Sequence, residues 1–289
     1  MPFQRATKAQ SRLRVAIDGP SGSGKSYTGL TMCTVFAAGK PFAAIDTERG
    51  SLSKYADIFE FDVLELTDFG PQSYIRAMKD AQEAEYPALF IDSITHEWNG
   101  RGGILQIVDE EQKRLKMQSS FQAWNKGKAE HQKFVDAMLA TDLHLVVTMR
   151  SKTEHALTDN NGRKEVKKLG MAPVQSDGME YEFDVVADMD LEHNLIVSKT
   201  RFPGITDAVV NKPDAEFAQK IYDWATSGTV PVPKTRSDAD IDRIKRPWEK
   251  MIMDGKQKDI EIPDIDWTKS DQELRGQYVI YRAQVDEAP

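Results

Sequence analysis

Between about residues 12 and 200, short apolar runs alternate with stretches of helical periodicity, the pattern of a mostly parallel sheet covered by helices. The runs predict strands at 13–18, 41–46, 61–66, 88–92, 143–149, 183–189 and 194–198, several of them apolar throughout, as strands buried on both faces are. Helices are predicted at 25–38, 71–84, 104–117, 121–140 and 213–226, with Pro71 after Gly70 and Pro213 marking two of the starts. On 121–140, Phe121, Trp124, Phe134 and Met138 recur at helical intervals and predict a core-facing stripe. The stretch 151–179 keeps no period and carries Asp159, Asn160, Asn161, Gly162, Gly170, Pro173 and Gly178. So long a connection is a functional loop or one that holds a small hairpin. After Gly228 the Pro-interrupted GTVPVPKTRSD reads as a linker. A helix at 238–253, a PDIDW turn and a last helix follow, the last opened by Ser270 with Glu273 three residues on, a capping-box pattern. The chain thus divides into an N-terminal arm at 1–11, an α/β core at 12–228 and a linker with a small helical appendage at 229–289.

Composition narrows the class. The 289 residues are 40% hydrophobic and 29% charged, as in an ordinary water-soluble chain, with no apolar run as long as a membrane span. The start lacks the apolar stretch and cleavage site of a signal peptide. A single cysteine, Cys33, excludes an intrachain disulfide and a cysteine-based metal site, so a reducing, cytoplasmic location is expected. The five histidines show no metal-ligand spacing.

The most specific motif is Gly19-Pro20-Ser21-Gly22-Ser23-Gly24-Lys25-Ser26, a G-x-x-x-x-G-K-[ST] phosphate loop between a strand and a helix. Its glycines let backbone N–H groups face phosphate oxygens, the helix N-terminus adds a favourable dipole, and Lys25 offsets the β and γ charges. Ser26 is the expected Mg²⁺ ligand, and Tyr27 follows within the nucleotide-binding stretch. The apolar strand Ala88-Leu-Phe-Ile-Asp92 ends in a carboxylate, placed to hold Mg²⁺ through water. A second strand ends in Asp46-Thr47-Glu48, from which Glu48 can activate the water that attacks the γ-phosphate.

In this order the phosphate loop, I-D-T-E-R-G, F-I-D-S and H-L-V-V-T-M-R resemble the core of the RecA-like recombinases and their KaiC-type relatives, over residues 12 to 226. The resemblance implies a P-loop ATPase using ATP and Mg²⁺, with Glu48 as catalytic glutamate and Asp92 as magnesium site. It puts Arg150 where the family senses the γ-phosphate, although bacterial recombinases carry glutamine there. Lys199-Thr200-Arg201 has the K-x-R form that KaiC-type proteins use as fingers reaching a neighbouring subunit, so a homo-oligomer, ring or filament, is implied. Phe3-Gln4-Arg5-Ala6 fits the F-x-x-A pattern by which some recombinases dock a neighbour. The nearest likeness is to phage-encoded RecA-like ATPases of single-strand annealing and recombination, which implies single-stranded DNA and a single-strand binding or other recombination protein as partners.

Candidate DNA contacts fall in two places. The loop after Arg150 holds Lys152, Arg163, Lys164, Lys167 and Lys168, diluted by Glu154, Asp159 and Glu165. The turn after Asp92 holds Trp98 and Arg101 beside Gly102 and Gly103, an aromatic and a cation that suit a base and a phosphate, or equally a core ring and a solvated arginine. The formal charge of -8 excludes a basic coat that binds nucleic acid indiscriminately. It is unevenly spread: residues 1 to 14 carry +4, while 15 to 228 hold 23 basic and 33 acidic residues. Two other readings stay open, a KaiC-type switch acting on a protein partner without DNA and a small-molecule kinase, the latter poorly served by a late K-x-R pair.

Overall fold

The computed structural model describes residues 5–116, 120–160, 163–229, 238–258, 260, 262–265 and 271–287. They fall into two compact units, Met1–Val230 and Pro231–Pro289.

The first unit is built on one mixed sheet. Its strands are β1 (Arg14–Gly19), β2 (Phe42–Asp46), β3 (Phe61–Glu65), β4 (Ala88–Asp92), β5 (His144–Asn160), β6 (Arg163–Pro173), β7 (Val185–Met189), β8 (Asn194–Thr200) and β9 (Val209–Asn211). They run in the order β3-β2-β4-β5-β1-β7-β8-β9, with β6 paired to β5 outside that path. Pairings from β3 to β7 along the sheet are parallel, while β8 and β9 turn antiparallel at one edge. Burial on both faces explains why β1, β2 and β4 are almost unbroken apolar runs. On one face Leu30, Cys33 and Phe36 of α1 (Lys25–Phe36) pack with Phe217 and Ile221 of α6 (Ala215–Thr226). On the other, Tyr74 and Met78 of α2 (Pro71–Glu83) pack with Phe134 and Met138 of α5 (Ser120–Ala140). The fold is therefore an α/β P-loop architecture, a mainly parallel central sheet flanked by helices. Phe134 is fully buried, so truncating it to alanine is expected to cost about 3–5 kcal/mol.

Three sequence expectations change. Phe121 and Trp124 are not core: Phe121 is 73% exposed and Trp124 37%. The cause is local packing. At that end α5 meets α4 (Ile104–Arg114) through Ala123 and Gly127, and a Cβ on Gly127 would collide with Val108. The fifth strand does not stop at residue 149. It continues to Asn160 and pairs antiparallel with β6 from Ser151↔Pro173 to Asn160↔Arg163, so the aperiodic stretch is a hairpin. Two elements too short to show a period also appear, α3 (Thr95–Asn99) and β9.

The second unit contains α7 (Asp238–Gln257) and α8 (Asp271–Glu287). Trp248, Met251, Leu274 and Val285 form its small core, and Arg282 bridges Asp254 and Asp286 at 2.7 Å each. The proposed cap Ser270, and Phe3 of the N-terminal pattern, lie outside the described residues.

Candidate nucleotide site

Parallel strands run level, so the sheet order brings the C-terminal ends of β1 and β4 to either side of β5 where it passes Arg150, with the end of β2 next in line. The phosphate loop leaves β1 at Gly19, where a side chain would collide with the Met189 carbonyl, and enters α1 at Gly24, which adopts a left-handed φ of 95° as N-cap. The first-turn N–H groups of α1 thus face the loop with no side-chain cap, the arrangement that suits a phosphate. Lys25 Nζ folds back onto the Pro20 carbonyl at 2.7 Å. Burial holds its pKa below the ordinary lysine value, against the pull of Asp92, Glu48 and Asp18.

Ser26 Oγ donates to Asp92 Oδ2 at 2.6 Å, and Thr148 Oγ1 donates to Asp92 Oδ1. Burial raises the Asp92 pKa, and the two hydroxyls oppose that shift. A serine hydroxyl and a buried carboxylate within hydrogen-bond reach are an all-oxygen donor set that fits a hard divalent cation. Ser26 and Asp92 are the residues that would hold Mg²⁺, which when bound offsets phosphate charge.

Glu48 stands at the end of the neighbouring strand. Asp46 fixes that end by accepting the N–H groups of Glu48 at 2.5 Å and Leu52 at 2.9 Å. Arg150 reaches the Glu48 carboxylate with Nε at 2.9 Å and Nη2 at 2.7 Å. Its own N–H donates to Thr95 Oγ1 at 2.9 Å, and its carbonyl accepts from Val174 N–H at 2.7 Å. Arg150 therefore ties Glu48 to the root of the β5–β6 hairpin. Ser151, the first residue of the arm, donates to Asp18 at 2.8 Å. Asp18 is nearly buried beside Asp188, and its carboxyl is pushed up to about 7, first by burial and then by that second carboxylate.

A cavity of about 700 Å³ adjoins the loop, lined by Gly24, Tyr27, Thr28, Phe59, His193 and Lys212 among others. Tyr27 is 47% exposed and stands edge-on to Phe59 at 5.2 Å and Tyr55 at 6.2 Å. Its position continuous with the phosphate loop suits the base and ribose of a nucleotide.

The family model described as an AAA domain matches residues 11–212. The chain belongs to the AAA domain family. No curated protein matches its sequence. An AAA domain of this kind is a P-loop NTPase domain, and the match spans the phosphate loop, Glu48, Asp92 and Arg150. Membership supports nucleotide binding and nucleotide-dependent ATPase chemistry. Among the described residues no helix is long and apolar enough to cross a membrane.

The remaining candidates of the AAA domain lie apart from this site. β8 runs antiparallel, so its end carries Lys199 and Arg201 away from the phosphate loop of the same chain. Lys199 Nζ donates to the carbonyls of Glu180, Tyr181 and Phe183 at 2.7–2.9 Å, and Arg201 pairs with Asp184 at 3.2 Å. Trp98 is half-buried, its ring packed against His131 and Trp124 at 5.5 and 6.2 Å. Arg101, on the following turn, is exposed. Lys152 is exposed at the hairpin root. Arg163, Lys164, Lys167 and Lys168 belong to β6, but their side chains lie outside what is described. Thr148, His96 and Asp188 were not singled out by the sequence. A polar residue inside the apolar strand V-V-T-M was the one signal for Thr148.

Proposed function

We propose that the protein is a RecA-like ATPase that couples ATP hydrolysis to single-stranded DNA, as an oligomer, in recombination or annealing of the phage type. The observation that carries this reading is the Glu48–Arg150 ion pair at the foot of the hairpin. Arg150 touches the candidate base and directly precedes the hairpin that carries five of the candidate DNA cations. In this account the loop amides and Lys25 bind the phosphates of ATP, and Ser26 and Asp92 hold Mg²⁺. The base and ribose occupy the cavity beside Tyr27. Glu48 accepts a proton from the attacking water once Arg150 releases it, and the γ-phosphoryl group passes to that water, leaving ADP and phosphate.

Strand binding to the hairpin shifts Arg150 and so frees or restrains Glu48. The coupling energy is the difference in hairpin contacts between the two states. Lys199 and Arg201 serve, on this reading, the site of a neighbouring subunit, since the direction of β8 keeps them from their own.

The experiment is the ATPase rate with and without single-stranded DNA across a salt series. A rate stimulated by DNA, with the stimulation falling steeply as salt rises, is expected. A rate that DNA does not change would instead favour the KaiC-type switch with a protein partner.

A further inference from the structure

His96 stands beside Glu48 and Arg150 but touches neither the phosphate loop nor the Ser26–Asp92 pair. It stands on the first turn of α3, four residues beyond Asp92, and that turn is pinned to β5 by the bond from Arg150 N–H to Thr95 Oγ1. The imidazole Nδ1 lies 2.7 Å from Thr47 Oγ1, and the ring stacks on Phe69 at 4.9 Å between centroids. Thr47 in turn joins the two strand ends of the site. Its N–H donates to the Asp92 carbonyl at 2.8 Å, and its hydroxyl accepts the Ser93 N–H at 2.8 Å. The hydroxyl also lies 3.1 Å from the Asp92 carbonyl and 3.2 Å from the Ser93 carbonyl, and the ring nitrogen at 2.7 Å is the nearest of its partners. Arg150, Glu48 and Asp46 are the charged groups that face the ring. Burial and Arg150 together hold the imidazole below its ordinary pKa.

We infer that His96 is a positioning residue for hydrolysis: through Nδ1 it fixes Thr47, and Thr47 fixes the strand end from which Glu48 is aimed. The inference rests on the reading of Glu48 as the base. It differs from a packing role for the ring, which would need only the contact with Phe69, and from a nucleotide-binding role, since Thr47 and His96 line none of the cavity beside Tyr27.

Three variants separate these roles. Asparagine places an amide near the position of Nδ1 and gives up the ring, phenylalanine keeps the ring and gives up the nitrogen, and alanine removes both. Measured as kcat, KM and Kd for ATP, His96→Ala and His96→Phe are expected to lose about ten- to a hundredfold in kcat. Their Kd should stay near that of the wild type, and His96→Asn should recover most of the loss. In a Glu48→Gln background, His96→Ala should cost nothing further, because the two act as one unit. Full activity of His96→Phe would show that the ring only packs, and a loss of Kd in step with kcat would show a general structural role. Either result overturns the inference, as does a His96→Ala loss that adds in full to that of Glu48→Gln. Normal turnover by Glu48→Gln alone would overturn the base assignment instead, which is a separate outcome.

Discussion

The two ends of the central sheet both collect cations, and they hold them differently. At the end where β1, β2 and β4 finish and β5 runs on into the hairpin, Lys25 leans on one carbonyl, and Arg150 is paired with Glu48 while half exposed. These are contacts that an incoming phosphate can replace. At the opposite end Lys199 is held by three backbone carbonyls and Arg201 by Asp184. Register fixes the separation: Lys199 pairs with Val186, which is level with Ala16, three residues before Gly19. At about 3.3 Å per residue that is on the order of 10 Å along the sheet, pointing away from the loop. The same residue types are therefore loosely held beside the phosphate loop and tied to backbone and carboxylate at the far end, and only a second molecule can bring the far pair to a phosphate.

The largest difference between the two ends is expected at Lys25. Lys25→Ala should abolish measurable ATP binding in calorimetric titration and lower turnover by on the order of 10²–10³; retained binding would mean that the loop amides alone suffice. Next comes the far pair. Arg201→Ala should hydrolyse poorly alone and regain turnover when mixed with Glu48→Gln, because each supplies what the other lacks. Absence of rescue would confine Arg201 to its bond with Asp184. Lys199→Met should lower stability by about 1–3 kcal/mol in denaturant unfolding, through carbonyls left without their donor. Arg201→Ala should cost about 1 kcal/mol or less, as its guanidinium is mostly exposed and Asp184 keeps the Arg14 N–H as a partner. Equal costs would erase the distinction drawn between the two.

The smallest effect concerns Asp18. Its folded pKa is raised from 3.8 to about 7 by burial, with Asp188 adding to the shift and Ser151 and Lys25 opposing it. The folded state then binds more protons than the unfolded state across that window, so this contribution to stability is present below 3.8 and is lost as pH rises towards 7. His144, pushed down to about 4 by burial and Arg12, has the opposite slope in nearly the same window. Asp18→Asn should therefore leave a melting temperature that rises more steeply from pH 4 to pH 7 than the wild type does. An unchanged slope would mean that Asp18 is not the group that holds the proton.

What the sequence could reveal follows from how local the chemistry is. The phosphate loop is eight consecutive residues, Asp92 closes one apolar run and Glu48 lies two residues past another, so the places of all three in the fold could be read directly. The groups that complete them come from far along the chain: Thr148 meets Asp92 across 56 residues and Ser151 meets Asp18 across 133. No period or spacing encodes such a meeting. The direction of β8 was equally invisible, since an apolar run looks the same whether it pairs parallel or antiparallel. The hairpin was half legible. Asn161-Gly162 separates its arms in the sequence, the dipeptide favoured between two-residue-linked strands, but charged residues hid the strands on either side. Phe121 and Trp124 misled because helical spacing marks a face without saying whether anything covers it.

The central claim is that the chemistry resides at one sheet end, with Glu48 as the base and Arg150 as its restraint. It is tested most directly by measuring ATP affinity and hydrolysis rate together on Glu48→Gln. The account predicts a Kd within about threefold of the wild type and a rate lower by on the order of 10² or more. A variant that binds ATP and hydrolyses it at the wild-type rate would contradict it.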